Sequence, residues 1–176
     1  AEVVLSYVLK KSKEYLFTYN ESRITYQQTQ KFLKLVKKRA QGWPVAYLTG
    51  RKEFYGLNFT VNKNVLIPRP ETEGLVELVL EKLQATSSKL QAPSSKILDL
   101  GTGSGNIIIS LSKTLSANSH EYAHGHQLFA SDISKQALTI AKQNAKRHKV
   151  KITFKQGDLM APWSKEHFDI IIANLP

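Results

Sequence analysis

The residues with the plainest chemical potential lie in Lys96–Ser110, KILDLGTGSGNIIIS. Glycines stand at 101, 103 and 105, between a strand-like segment (Ile97, Leu98, Leu100) and an apolar run (Ile107–Ile109, Leu111) that opens a helix. Glycine has no Cβ, so such a turn can bend sharply and bring its backbone close to a ligand. The helix after it begins with unpaired N–H groups and a partial positive charge, which favour polar or anionic ligand groups. Strand, glycine-rich turn and helix in that order form the usual ligand crevice at the carboxyl end of a parallel strand. The competing reading is a tight turn that holds nothing. A dinucleotide site needs G-x-G-x-x-G, and position 106 is Asn, which argues against a nicotinamide dehydrogenase. Two more polar side chains fall at strand ends. Asp132 follows Leu128–Ser131, where an acid can hold the hydroxyls of a ribose. Asn174 closes the apolar segment Phe168–Ala173, and taken alone it is an Asx-turn residue. His120, His124 and His126 share one loop, but short His-rich tracts are common in exposed loops, and no metal is expected.

The elements that must position these residues follow from periodicity. Residues 1–40 show helical spacing, with Thr25 and Gln28 fitting a capping box ahead of Phe32, Leu35 and Val36. Gly42-Trp43-Pro44 ends that helix. Arg51–Val61 alternates and carries aromatics, a β-hairpin turning near Gly56. Pro68 and Pro70 impose an extended segment before a helix opening at Glu71 and burying Leu75, Val76, Val79, Leu80 and Leu83. Gln84–Ser95 reads as a polar loop. From Lys96 the order is strand, helix, strand, helix, strand, strand, an α/β fold with a parallel, Rossmann-like sheet. The last strand is apolar enough to be buried on both faces, so a further strand is expected beside it. The domain reading is 1–50 helical region, 51–70 hairpin and linker, 71–176 main domain. Ala1 at the start and Pro176 straight after a strand suggest a piece of a longer protein.

Composition narrows the function classes. The chain has 176 residues, 41% hydrophobic, which suffices for a core. The absence of cysteine excludes a disulfide framework and thiol chemistry and fits a reducing compartment: cytoplasm, or the matrix of an organelle. No run is long enough to span a membrane and no leader is recognisable, so no membrane partner is expected. The net charge of +11 suits contact with RNA or the ribosome, against the alternative of a lysine-rich solvated surface.

Several segments carry a resemblance. Asp99-Leu100 followed by G-x-G-x-G resembles motif I of S-adenosylmethionine (SAM) methyltransferases of Rossmann-like fold. GWPVAYLTG at 42–50, KEFYGLN at 52–58, LIPRPETE at 66–73, LDLGTGSG at 98–105 and the closing Asn-Leu-Pro together resemble the release-factor glutamine methyltransferases, the HemK family. LIPRPETE is the most specific of these. The resemblance implies a SAM-dependent methyltransferase sheet, incomplete at the carboxyl end, preceded by a helical substrate-docking region and a hairpin. It implies methyl transfer from SAM to the side-chain amide nitrogen of the glutamine in the Gly-Gly-Gln motif of peptide chain release factors, by a monomer. Gly101, Thr102, Gly103, Ser104 and Gly105 would wrap the methionine end of SAM, Asp132 its ribose, and Asp158 and Leu159 its adenine. Asn174 would also touch the cofactor, and Asn174, Leu175 and Pro176 would hold the substrate, with Asn174 and Pro176 in the catalytic motif. The family motif is Asn-Pro-Pro-Tyr; this chain has Leu175 for the first proline.

Chemistry explains such a motif. An amide nitrogen is a poor nucleophile because its lone pair is delocalised. A carboxamide oxygen and a neighbouring main-chain carbonyl can accept both its N–H bonds, orienting it and favouring positive charge as it grows there. Two rivals remain at this point. One is an adenine-N6 amino-methyltransferase, which uses a similar clamp on an exocyclic amine. The other is a catalytically incomplete binding module.

Overall fold

The computed structural model describes residues 1–87, 94–118 and 125–175, and the chain divides into two compact units, Ala1–Arg51 and Lys52–Pro176. The first unit is helical: α1 (Glu2–Leu9), α2 (Lys13–Thr18), α3 (Tyr26–Ala40) and α4 (Val45–Thr49). Its small core holds Val4, Val8 and Leu48. The capping box forms: Gln28 N–H donates to Thr25 Oγ1 at 3.2 Å and Thr25 N–H to Gln28 Oε1 at 2.8 Å, satisfying two donors that a helix start leaves unpaired. The break between α1 and α2, at left-handed Lys10, divides what periodicity alone reads as one helical stretch.

The second unit opens with the hairpin β1 (Arg51–Phe54) and β2 (Leu57–Thr60). Its two-residue turn has Tyr55 and Gly56 at φ 51° and 69°, the mirror-image geometry that matches strand twist. A 3₁₀ turn at Pro70–Thr72 then leads into α5 (Glu73–Ser87). Helix α5 thus starts two residues later than Glu71, because Pro70 supplies the tighter turn, and it runs on into the segment expected to be loop. The rest is β3 (Lys96–Leu100), α6 (Asn106–Ala117), β4 (Gln127–Asp132), α7 (Lys135–His148), β5 (Thr153–Gln156) and β6 (Ile170–Ala173).

The four strands β3 to β6 form one parallel sheet in the order β5-β4-β3-β6. The chain steps outward from β3 to β4 to β5, then returns to the other side of β3. That reversal is a topological switch point, where open α/β sheets bind ligands. Central β3 is buried along Ile97–Leu100, whereas β6 lies at an edge with Ile171 48% exposed. Burial of β6 on both faces is not seen, since Ile171 and Ala173 stand exposed on the face opposite Ile172, but the expected open apolar edge is there. Under the sheet, Trp163, Phe129 and Phe168 meet edge-to-face at centroid separations of 5.2–5.6 Å around Leu98 and Leu100.

Candidate functional site

The carboxyl ends of all four strands open on one crevice of ≈ 260 Å³. The turn after β3 gives Gly101–Ser104, with Asn106 and Ile107 from the first turn of α6. The loop after β4 gives Asp132–Ser134, that after β5 gives Gly157–Leu159, and that after β6 gives Asn174 and Leu175. A further wall comes from Asn64–Arg69 and Thr72, ahead of α5.

The register brings the two chemical ends together. Leu100 is the partner of Ala173 in the β3–β6 ladder, so the residues that follow, Gly101 and Asn174, leave adjacent strands side by side. Contact between the two loops is close: a Cβ at Gly101 would lie 2.6 Å from Leu175 Cδ2. Asn174 and Leu175 are both exposed, while Pro176 lies outside the described residues.

All three glycines of the turn have positive φ, at 64°, 55° and 79°. A side chain there costs about 1–2 kcal/mol. Gly101 and Gly103 face the crevice, and a Cβ at Gly103 would meet nothing nearer than Gly101 O at 3.9 Å, so its absence leaves room for a ligand. Gly105 does not line the crevice: its Cβ would meet Ile109 Cδ1 at 2.8 Å and Ala141 Cβ at 3.3 Å. Its contribution is close packing of α6 against α7, the role of the third glycine in such turns.

Hydrogen bonds stitch the loops into one frame. Thr102 N–H donates to Ser131 O at 3.0 Å and Gly157 N–H to Asp132 O at 3.1 Å. Asp132 accepts from Gly103 N–H at 2.9 Å on one carboxylate oxygen and from Ser134 N–H at 2.8 Å on the other. Each oxygen retains a lone pair, so the carboxylate can still accept from a ligand hydroxyl. Ser134, not Asp132, caps α7, accepting from Ala137 N–H at 3.2 Å. Beneath the turn, Asp99 is 1% exposed and accepts from Thr102 Oγ1 at 2.6 Å. Burial pushes its pKa up to about 7, opposed by the Thr102 hydroxyl, raised further by the nearby Asp132 charge and lowered by the Ile108 backbone N–H. Leu159 stands on the crevice wall, 48% exposed and with φ 41°, a conformation strained for a leucine.

Three participants escaped the sequence reading. Thr72 accepts from Asn174 Nδ2 at 3.2 Å across 102 positions. Glu73 Oε1 accepts from Tyr55 N–H at 2.9 Å, so consecutive residues of LIPRPETE reach the site and the hairpin. Asn144, fully buried on α7, bridges Thr60 and Ser104. The signal for Asn144 was present: it interrupts the apolar face Ala137, Ile140, Ala141, Ala145. His126 lies at the amino end of β4, away from the crevice, where Nδ1 accepts from Ser95 N–H at 3.1 Å and burial lowers its pKa. His120 and His124 lie outside the described residues, and among the described residues no group of His, Cys, Asp or Glu could hold a metal.

Comparison with known proteins agrees with this geometry. Residues 91–176 match the family described as a methyltransferase domain, and residues 1–50 match the PrmC N-terminal domain. A release factor glutamine methyltransferase of Bacillus cereus is 37% identical over 99% of this chain, and one of Coxiella burnetii is 40% identical over 100% of it. Along its whole length the chain is similar to release factor glutamine methyltransferases. It spans 59% of the length of both these relatives. A T. thermophilus 16S rRNA N2 G1207 methyltransferase, solved with AdoMet and guanosine, superposes with a TM-score of 0.54 at 19% identity, covering 72% of this chain and 32% of that one, and shows the shared fold. Among the described residues, no helix is long and apolar enough to cross a membrane.

Proposed function

We propose that the crevice binds SAM and that Asn174 presents to it the side-chain amide of a release-factor glutamine, the Gln of Gly-Gly-Gln. The observation that carries this reading is the side-by-side emergence of Gly101 and Asn174 from register partners of adjacent strands. The residues fit the cofactor. Gly103 leaves room that a Cβ would fill, Asp132 offers acceptors where ribose hydroxyls need them, and exposed Leu159 offers an apolar surface to a base. Gly105 serves this reading from behind the turn, and Asp158 flanks the base. Leu175 and Pro176 supply the main chain beside Asn174.

When bound, SAM supplies an electrophilic methyl group on sulfonium. The protein's part is positioning and charge. Asn174 Oδ1 accepts one N–H of the substrate amide and the adjacent main-chain carbonyl accepts the other, so the nitrogen lone pair faces the methyl group. Both acceptors gain strength as positive charge grows on nitrogen, which lowers the barrier more than it tightens ground-state binding. In this reading residues 1–50 dock the release factor, 51–70 link and 71–176 carry the chemistry. Residues 1–51 hold ten Lys/Arg against three Asp/Glu, +7 of the chain's +11, a charge suited to contact with RNA or the ribosome. The protein acts as a cytoplasmic monomer.

The test is methyl transfer from labelled SAM by the protein at its full natural length. Release factor should be methylated at the Gly-Gly-Gln glutamine, and adenine-containing DNA should not. Asn174→Ala should lose transfer while SAM binding, followed by calorimetry, stays within a few-fold. Transfer at the wild-type rate in that variant removes Asn174 from the mechanism.

A further inference from the structure

We infer that Thr72 is a positioning residue that holds the Asn174 carboxamide in place at the crevice, its oxygen open to the substrate, an inference that rests on the role proposed for Asn174. A carboxamide has two faces of opposite hydrogen-bonding sense, an oxygen that accepts and an NH₂ that donates, and the two differ only by a half-turn of the terminal torsion. A substrate amide nitrogen brings donors. It is held only if Asn174 meets it with oxygen; an asparagine turned the other way would set NH₂ against NH₂.

The structure supplies a partner for the nitrogen end. Asn174 Nδ2 donates to Thr72 Oγ1 at 3.2 Å, and both residues line the crevice. In this arrangement the hydroxyl accepts from the nitrogen and Oδ1 is the atom left to a ligand; because a hydroxyl can also donate, Thr72 fixes the place of the carboxamide while the donors of the substrate amide select its oxygen end. Thr72 is itself held. It is 8% exposed, it closes the 3₁₀ turn begun by Pro70, and its N–H donates to Arg69 O at 3.1 Å. The next residue, Glu73, anchors the start of α5 to the hairpin through Tyr55 N–H. The threonine thus stands on a turn fixed at both ends, while Asn174 sits exposed just past the end of an edge strand. The rigid residue orients the free one. The same bond explains the make-up of LIPRPETE. Its prolines shape the turn, its last glutamate pins it, and its threonine holds Asn174.

The experiment compares Thr72→Val, which keeps the shape and removes the acceptor, with Thr72→Ser, which keeps the acceptor, in the full-length protein with release factor as substrate. Thr72→Val should lower kcat about tenfold, the worth of one hydrogen bond, with the SAM Kd within twofold of wild type. Thr72→Ser should stay within twofold of wild type in both. Wild-type kcat in Thr72→Val, with Asn174→Ala inactive, overturns the inference and leaves the role of Asn174 intact. Wild-type kcat in Asn174→Ala overturns both. A parallel fall of kcat, SAM affinity and Tm in Thr72→Val and Thr72→Ser alike shows a purely structural threonine and also overturns it.

Discussion

The Asn144 side-chain nitrogen donates to the Ser104 carbonyl oxygen at 2.9 Å, while the same carboxamide donates to Thr60 O at 3.0 Å and accepts from Thr60 N–H at 2.8 Å. One buried side chain on α7 therefore ties the hairpin to the glycine turn. Asn144→Ala leaves three backbone groups without this partner and should cost about 2–3 kcal/mol of stability. Asn144→Asp should be at least as damaging, because a carboxylate can still accept from Thr60 N–H but faces two carbonyl oxygens. Urea unfolding of both variants is the check; a loss below about 0.5 kcal/mol in Asn144→Ala, less than one ordinary hydrogen bond, would mean water replaces the bridge.

Gly105 marks the second structural dependence. At φ 79°, with Ile109 Cδ1 and Ala141 Cβ within contact of any added methyl group, Gly105→Ala combines backbone strain with overpacking. Together these should cost about 2–4 kcal/mol. Ala141→Gly, which opens the opposing surface, should recover part of the overpacking when combined with Gly105→Ala, measured as a non-additive Tm.

Much of this was legible in the sequence, and the reasons for the gaps are physical. The order of strands and helices, the glycine turn and the capping box follow from local chemistry that each segment carries itself. So does Asp132, which sits at the end of a strand read correctly to within one residue. Asn144 left a trace as a polar break in the apolar face of α7, but its partner Thr60 and Thr72's partner Asn174 lie 84 and 102 residues away and only the assembled sheet brings them together. An open apolar edge at β6 was legible; that the open face is the one carrying Ile171 and Ala173 was not, because what packs on each face is settled only in the assembled fold. Gly105 looked like part of a binding loop by spacing, yet the crevice wall passes from Ser104 to Asn106 without it.

Leu159 offers a trade between stability and binding. Its φ of 41° stores strain of about 1 kcal/mol, which glycine would release. Its exposed side chain gives up little packing on removal. Leu159→Gly should therefore keep or slightly raise Tm, while weakening SAM binding several-fold if the leucine covers the adenine. Calorimetric titration with SAM separates the two effects; unchanged affinity would place the base elsewhere on the wall.

Asp99 makes stability depend on pH in a predictable direction. Its folded pKa, about 7, lies above the ordinary 3.8. Between those values the folded chain keeps a proton that the unfolded chain has lost, so this contribution is full below about pH 4 and falls as pH rises through 7. His126 acts oppositely. Its folded pKa lies below the ordinary 6.5, so its contribution is lost as pH falls. Asp99→Asn should flatten the downward limb between pH 4 and 7 and be more stable, relative to wild type, at pH 8 than at pH 4. Tm measured across this range for wild type, Asp99→Asn and His126→Gln resolves the two; parallel curves for wild type and Asp99→Asn would show that Asp99 titrates at its ordinary value.

Asp132 separates frame from ligand. Its two carboxylate oxygens already accept from Gly103 and Ser134 N–H groups, so removing it frees the glycine turn as well as withdrawing a ligand acceptor. Asp132→Ala should therefore lower both Tm and SAM affinity, the latter by about a hundredfold or more if the carboxylate holds two ribose hydroxyls. Asp132→Glu keeps the charge but lengthens the arm, so the carboxylate can reach ribose only by leaving Gly103. If the frame is what SAM binding requires, Asp132→Glu should bind as weakly as Asp132→Ala. If direct contact dominates, it should recover most of the affinity without recovering Tm. Calorimetry and thermal melts on the same three proteins decide between them, and full SAM affinity in Asp132→Ala would remove the aspartate from the site altogether.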